Sequence, residues 1–492
     1  MDNNHSQKYE YLADDPNVKT IPIMVSLIIG AFFAVLNETL LNIALTTLMK
    51  EFHITLPTVQ WTATGFMLMM GIVIPISALL VQWFTTRQLF IGVMTVFTIG
   101  TTISAMAPNF TILLVGRLTQ AVGTQLLMPI IFNVFLLLYP PLKRGKIMGL
   151  VGLVFMFAPA IGPTLSGVIV EYLNWRYLFI TVIPFALFSI VFAYKFLVNV
   201  GEVTKPKIDF LSILFSSVGF GAIIYGFSSA GESKEGFLSP SVYITIIIGV
   251  IGVVLFSIRQ FKLKDPMMNL RVFKYPMYTH AVFMFLIIIM AMFASELILP
   301  IFMQGPLALT AAAAGLVLLP GSILNGAMSP FTGHMFDKFG PRVLMIPATI
   351  VLSGTMFMMS RLTADTSVWV IIVGYILLML SVSAIMMPAQ TNGLNQLPKA
   401  LYPHGTAVMT TLQPVAGAIG VSVFISIMNA RQLQFLNNSS NPEDPETIDQ
   451  AMVAGVELVY FIAFIIAVIA VIMALRVYRA SPDEEEKNAE IE

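Results

Sequence analysis

The chain has 492 residues, of which 57% are hydrophobic and 11% charged, and its formal net charge is zero. Soluble domains carry about 25% charged residues, so this composition, with a mean hydropathy of +0.86, indicates a polytopic membrane protein. The balanced charge gives no indication of a nucleic-acid partner, and the absence of cysteine excludes disulfides and cysteine metal sites.

Apolar stretches along the chain predict fourteen membrane-spanning helices, because a helix needs about 20 mostly apolar residues to cross a bilayer. Two of the predicted helices have weak signals: 208–230 is rich in Gly and Ser, and 404–430 is only moderately apolar. Without both, the count would be twelve. The predicted spans are 21–47, 58–81, 88–107, 111–138, 146–170, 177–199, 208–230, 240–261, 277–303, 311–334, 342–361, 368–390, 404–430 and 452–478.

The distribution of basic residues predicts that both termini are cytoplasmic. An even number of spans places the termini on one side, and nineteen Lys and Arg residues fall in the loops of that side, against five on the other. Cytoplasmic loops carry an excess of Lys and Arg. The first span follows a polar, acidic segment that lacks the basic-then-apolar order of a cleaved signal peptide, so it is expected to be a retained helix.

No motif in the sequence indicates an enzyme, a metal site or an ATP-driven pump. The patterns G-x-x-x-x-G-K-[ST], H-E-x-x-H and G-x-S-x-G are all absent, and the five histidines are scattered along the chain. The sequence therefore predicts a protein that is not an enzyme and needs no cofactor or metal.

Charged residues inside the spans are the first candidates for function, because a charge at the bilayer centre costs roughly 2.5–3.5 kcal/mol on insertion scales. Glu38 lies about 26 Å and Glu296 about 28 Å along their spans, at about 1.5 Å per residue. Both carboxylates are expected at a similar depth in the outer half of the membrane, with Arg117 of the fourth span in the same layer. Two structural alternatives stay open: Glu38 as an interfacial group or a partner of an Asn or Thr, and Arg117 as a clamp on backbone carbonyls.

A weak internal repeat relates the loop after the second span to the loop after the tenth. The second copy reads G-x-x-x-D-K-x-G-x-R, whereas Gln82 and Thr85 replace the Asp and the second Gly in the first copy. Glycine permits a tight turn and close helix approach, and the acidic and basic residues can pair across a short inner loop. The second copy is therefore predicted to form an inner gate or structural latch, made by Gly333, Asp337, Lys338, Gly340 and Arg342.

This loop resembles the signature loop of the major facilitator superfamily, and three further motifs follow in the order typical of that family. Arg117–Gly123 is similar to R-x-x-Q-G-x-G, and Ala158–Gly167 is similar to the G-x-x-x-G-P-x-x-G-G of antiporter branches. Leu36–Leu45 resembles the L-D-x-T-x-x-N-x-A-L of the fourteen-helix drug:proton antiporters. The family's Asp aligns with Asn37, and Glu38 lies about 100° further around the helix. Either Glu38 replaces that acid or the proton role lies elsewhere.

The resemblance implies an all-α major facilitator fold with two six-helix bundles plus two additional helices, fourteen transmembrane helices in all. The implied segments are a cytoplasmic N-terminus (1–20), the N-terminal bundle (21–200), two inserted linker helices (201–270), the C-terminal bundle (271–479) and an acidic cytoplasmic tail (480–492).

The resemblance also implies a function: a multi-pass antiporter of the cytoplasmic membrane that exports hydrophobic or cationic drugs by alternating access, driven by the proton gradient. Drugs, protons and membrane lipids are the expected partners, and the working unit is expected to be a monomer. An exporter of one specific metabolite, peptide or lipid is the alternative, and a sensor or an uncoupled channel is a third class.

The motifs assign expected roles to particular residues. Glu38, Glu296 and Arg117 are predicted to couple protons, and Gly162 and Pro163 to form a conformational hinge at a helix kink. The predicted substrate-cavity residues share polar or aromatic character within the spans, and they are Asn37, Asn42, Trp61, Gln120, Gln125, Asn325 and Gln413.

Overall fold

A computed structural model describes residues 18–138, 157–159, 161–200, 203, 209–230, 236–263, 266–398 and 401–480. Within these ranges the chain is almost entirely helical and contains no strand. The helices of the first half are α1 (Thr20–Leu40), α2 (Leu45–Phe52), α3 (Leu56–Val59), α4 (Trp61–Trp83), α5 (Thr86–Ala105), α6 (Phe110–Leu138), α7 (161–172), α8 (Tyr177–Ile180) and α9 (Ile183–Phe196). Those that follow are α10 (Phe210–Ser229), α11 (Pro240–Lys262), α12 (Pro276–Gln304), α13 (Ala311–Phe339), α14 (Pro341–Met359), α15 (Val368–Asn395), α16 (Tyr402–Asn437) and α17 (Pro445–Leu475).

Thirteen segments of the described chain are helical, long and apolar enough to cross a membrane. They correspond to thirteen of the fourteen predicted spans and include both weak ones, as α10 and α16. The remaining predicted span, 146–170, lies mostly outside the described residues, and α7 contains its end. The prediction of an all-helical, multi-pass membrane protein is confirmed.

The first predicted span is wrong in one respect, because it is not a continuous helix over 21–47. Helix α1 ends at Leu40, a turn follows, and α2 starts at Leu45. The break leaves backbone groups free to bond elsewhere: the carbonyl oxygen of Ile43 accepts a hydrogen bond from the Gln304 side chain of α12. Interrupted helices are tolerated in membranes where the freed groups are buried in protein or line a cavity.

The two ends of the described chain lie on the same face of the molecule. The last turn of α12 meets the start of α2 through a hydrogen bond between Gln304 and Thr46, so α1 and α12 run in the same direction. At the start of α12 the backbone N–H of Met277 donates to Gln396, whose amide reaches the hydroxyl of Tyr478 beyond α17. We call this side the terminal face and the opposite side, which contains Thr46 and Gln304, the far face.

Helices α10 and α11 form a tightly packed hairpin between the two halves of the chain. A Cβ added at Gly252 of α11 would lie 2.7 Å from the Cα of Gly219 of α10, so the helices approach closely only with glycine there. At the terminal face Asp209 caps α10 through the N–H of Ser212 and bonds the guanidinium of Arg259 at 2.7 Å. The hydrogen bond from Arg259 lowers the pKa of Asp209 to about 2.

The hairpin contacts both halves of the molecule, because α10 packs on α4 and on α16. Four fully buried polar residues, Gln60, Thr64, Ser228 and Ser422, join the three helices, and we call them the polar bridge. The Ser228 hydroxyl lies 3.0 Å from the Thr64 hydroxyl and 3.0 Å from the Ser422 hydroxyl, and Gln60 donates to the Ser228 carbonyl. The inserted hairpin is therefore bonded to one helix of each bundle.

Replacing Ser228 with alanine is expected to destabilise the detergent-solubilised protein by about 1–2 kcal/mol, since two buried hydroxyl bonds are lost. The measurement is the midpoint of thermal unfolding. Ser229→Ala is the matched control, because Ser229 is its neighbour on α10 and is less buried. Equal midpoints for the two variants would contradict a stabilising role of the polar bridge.

Candidate functional site

A small pocket, which we call the cavity, lies where the two halves of the chain meet. Helices α1, α4 and α6 form one wall and α12 forms the other. The cavity combines one carboxylate and one guanidinium with aromatic and aliphatic side chains. Its lining residues are Glu38, Thr39, Asn42, Ala63, Phe66, Met67, Arg117, Phe293 and Leu297.

The break after α1 positions the acidic side of this cavity. Glu38 lies in the last turn of α1, and Asn42 lies in the turn that follows. Both side chains line the cavity. Within the described residues, the Glu38 carboxylate makes no hydrogen bond or ion pair. Glu38 is therefore available to exchange a proton or to contact a ligand.

Arg117 is held by neutral partners of α1, α4 and α6. Its side chain is 1% exposed. The guanidinium donates to the side-chain and backbone oxygens of Asn37 at 2.8 and 3.1 Å, to Gln120 at 3.2 Å, and to the backbone oxygen of Thr62 at 3.4 Å. It also lies over the ring of Phe66, 4.2 Å from the centroid, which is a cation–π contact.

Arg117 and Glu38 lie near each other, as expected, but they do not form an ion pair in the described structure. Both line the cavity, but Arg117 bonds the side chain of Asn37 rather than that of Glu38. The reason is helical geometry, because consecutive residues point about 100° apart. Asn37, predicted to line the cavity, is buried against Arg117 instead and is absent from its lining.

Glu296 approaches the same cavity from the second bundle. It lies on α12 between Phe293 and Leu297, which both line the cavity. Its carboxylate is close enough to Glu38 for the two charges to interact, and close enough to interact with the hydroxyl of Tyr375. The two carboxylates expected at similar depth are thus brought together across the bundle interface.

Several residues predicted to line the cavity lie elsewhere. Trp61 packs on Tyr225 of the inserted hairpin, with ring centroids 5.5 Å apart. Gln120 is fully buried and donates to Thr101 at 2.9 Å while it accepts from Arg117, and the Asn325 amide contacts the sulfur of Met379. Gln125 and Gln413 are partly buried and absent from the lining. Of the predicted cavity amides, Asn42 is the one that reaches it.

The motif of the fifth span packs against α13 at the far face. Gly162 lies against Thr39 of α1, and a Cβ added at Gly315 of α13 would lie 2.5 Å from the carbonyl oxygen of Pro163. Two hydrogen bonds join the same helices: Thr164 donates to the Gly315 carbonyl at 3.0 Å, and Glu171 accepts from the Ala312 N–H at 2.9 Å. A carboxylate is favourable at that position because it is the N-terminus of α13.

These contacts and the Thr46–Gln304 pair form what we call the far-face clamp: Thr46, Thr164, Glu171, Gln304, Ala312 and Gly315. The clamp joins helices of the two halves of the chain at the far face. No sequence motif indicates a role for Gln304, Thr164 or Glu171, because polar and charged residues at the ends of apolar spans are common.

The loop predicted to act as a latch joins α13 to α14 at the terminal face. Gly340 ends α13 with φ +80°, a conformation that favours glycine. Arg342 donates to the carbonyl of Leu475 in the last turn of α17 at 3.0 Å, and Lys338 lies 5.1 Å from the centroid of the Phe339 ring. Gly333 faces Met387 of α15. The side chain of Asp337 lies outside the described residues.

A cavity between two helix bundles that are in contact at one face is the arrangement of a secondary transporter that works by alternating access. A sequence profile described as Major Facilitator Superfamily matches residues 27–421. The chain belongs to the Major Facilitator Superfamily.

Relatives within this family carry names from drug resistance. "Lincomycin resistance protein LmrB" of Bacillus subtilis (strain 168) is 52% identical over 434 residues, which cover 88% of this chain and 91% of that protein. "Multidrug resistance protein B homolog" of Mycobacterium tuberculosis (strain ATCC 25618 / H37Rv) is 24% identical over 80% of this chain and 74% of its own length. Among solved structures, a peptide transporter POT in complex with sulfate aligns with a TM-score of 0.66 at 14% identity, covering 92% of this chain and 94% of that one. That similarity supports the fold alone.

Proposed function

We propose that this protein is a proton-coupled antiporter that exports lincomycin and other hydrophobic or cationic drugs from the cytoplasm. The terminal face is the cytoplasmic one, in keeping with its excess of Lys and Arg, and the far face is the extracellular one. A monomer is the working unit, since one chain supplies both bundles, and the surrounding lipids are its only other partners.

The observation that carries this proposal is the cavity shared by Glu38 and Arg117. A carboxylate without a bonded partner, set beside aromatic and aliphatic walls, suits an amphipathic drug with a basic amine. Phe66, Phe293 and Met67 supply the apolar contact, and aromatic faces also attract cations. The high identity to lincomycin resistance proteins over nearly the whole chain supports the choice of drug.

The mechanism follows from competition at the carboxylates. A proton from outside binds Glu38 or Glu296, neutralises the charge that holds the drug, and releases the drug to the outside. After the bundles rock, the proton leaves to the cytoplasm, and the ionised carboxylate accepts another drug molecule. Gly162 and Pro163 lie where α7 must move against α1 and α13 in this step.

The test is transport in everted membrane vesicles with an imposed proton gradient and a panel of lincomycin, lipophilic cations and unrelated antibiotics. We expect uptake of lincomycin and of several lipophilic cations, and loss of that uptake when the gradient is collapsed. Transport of one compound alone would favour the specific exporter instead. Uptake that persists without a gradient would contradict proton coupling.

A further inference from the structure

Arg117 is a buried cation whose described hydrogen-bond partners are all neutral: Asn37, Gln120 and a backbone oxygen of α4. An uncompensated charge is costly in a membrane interior. Glu38 of α1 lines the cavity beside Arg117. Glu296 of α12 lies between Phe293 and Leu297, which line it, and its carboxylate interacts with that of Glu38. The cavity and its immediate surroundings therefore hold one fixed positive charge and two carboxylates.

We propose that Asn37 sets the charge balance of the cavity at one surplus carboxylate, so that one monovalent cation is exchanged for one proton. This inference rests on the proposed function and specifies its substrate charge and stoichiometry. One carboxylate balances Arg117. The other is neutralised in turn by a substrate cation or by a proton, and both of those states are electrically neutral.

The contacts of Asn37 show that the neutrality of its side chain matters more than its hydrogen bonding. The side-chain oxygen accepts from Arg117 at 2.8 Å, while the Nδ2 group is buried without a hydrogen-bond partner among the described residues. An aspartate of the same shape would accept the same bond, and its second oxygen would take the unpaired position of Nδ2. Asparagine therefore gains no hydrogen bond over aspartate at this position, and its distinguishing property is that it does not neutralise Arg117.

Other ionisable groups near the carboxylates do not alter this balance. Tyr375 of α15 interacts with Glu296 and bonds Ser322, and Tyr460 of α17 is fully buried, but both phenols are neutral. Glu457 of α17 and Glu171 of α7 do not line the cavity, and Glu171 accepts a hydrogen bond from Ala312 at the far face.

The inference predicts how the driving forces act on transport. Exchange of one proton for one monovalent cation moves no net charge across the membrane, so it responds to a pH gradient and not to membrane potential. The limiting cation gradient is then about tenfold per pH unit for one proton and about a hundredfold for two. A two-proton exchange would also gain about tenfold for each 59 mV of potential.

The experiment measures ethidium, a lipophilic monovalent cation, in proteoliposomes with pH gradient and potential set separately. For the unmodified protein we expect accumulation of about tenfold per pH unit and no response to potential. Asn37→Asp adds a second surplus carboxylate, so its accumulation is expected to become potential-sensitive and to approach the two-proton slope. Asn42→Asp adds a carboxylate to the same cavity without touching Arg117 and is expected to show the same change.

The double variant Asn37→Asp/Glu38→Gln restores the original balance, with Asp at position 37 against Arg117 and Glu296 as the surplus group. It is expected to recover potential-insensitive exchange that Glu38→Gln alone lacks. Potential-sensitive ethidium transport by the unmodified protein would overturn this inference while leaving the proposed function intact. Two other results would also overturn it. One is accumulation of about tenfold per pH unit in both Asn37→Asp and Asn42→Asp, and the other is ethidium transport by the double variant no higher than that of Glu38→Gln. An unmodified protein that moves neither ethidium nor lincomycin on a pH gradient would overturn the proposed function itself.

Discussion

Glu38→Gln is expected to lower proton-driven drug export at least about tenfold, because a positioned proton-exchanging group contributes that much or more to a proton-dependent step. Glutamine keeps the size and polarity of the side chain but neither takes up nor releases a proton. With Glu38 neutral, Glu296 and Arg117 balance each other, and no surplus charge remains to attract a cation. The measurement is ethidium and lincomycin transport in vesicles with an imposed pH gradient.

Two comparisons make this result specific. Glu443→Gln removes a carboxylate from an exposed loop at the far face and is expected to leave transport unchanged. Glu296→Gln removes the second carboxylate of the pair and is expected to give the same loss as Glu38→Gln. Full proton-driven export by both cavity variants would show that neither carboxylate carries the coupled proton.

The sequence was sufficient for the helical architecture because the apolar length of a span is a direct consequence of the bilayer. Thirteen of the predicted spans match helices of the described chain, including the weakly apolar α10 and α16. The rise per residue is fixed in a helix and predicts similar depths for Glu38 and Glu296, and in the structure their two carboxylates interact. These features depend on local properties of the chain.

Features that depend on contacts between distant segments were not predictable. The break between Leu40 and Leu45 is stabilised by Gln304 of α12, some 260 residues away, and no local signal such as Pro or Gly marks it. Arg117 bonds Asn37 rather than Glu38 because consecutive residues of a helix point about 100° apart. The motif alignment shows that Asn37 holds the position of the family's acid, but it does not show which of the two residues faces Arg117. Trp61 contacts Tyr225 because the inserted hairpin packs on α4, and no local pattern predicts that packing.

Gly167→Val is expected to open the far-face clamp and to lower transport at least about tenfold, because the added side chain cannot fit between packed helices. A Cβ at Gly167 would contact the backbone oxygen of Ala311 and lie 2.8 Å from the Cα of Ala312, and backbone atoms cannot yield as a flexible side chain does. The change raises the free energy of the state with a closed far face relative to the state with an open far face. The protein is therefore held with its far face open and cannot complete the transport cycle.

The readout uses the absence of native cysteine, which makes an introduced cysteine a unique reporter. Ala63→Cys places a thiol on the cavity wall, and a membrane-impermeant maleimide added outside the cell should label it faster when Gly167→Val is also present. Gly354→Val is the matched control, because a Cβ at Gly354 meets no atom within 4 Å, and it is expected to change neither labelling nor transport. Normal transport with unchanged labelling in the Gly167→Val protein would contradict this prediction. The close approach of α7 and α13 would then be a packing feature rather than the closure that alternating access requires.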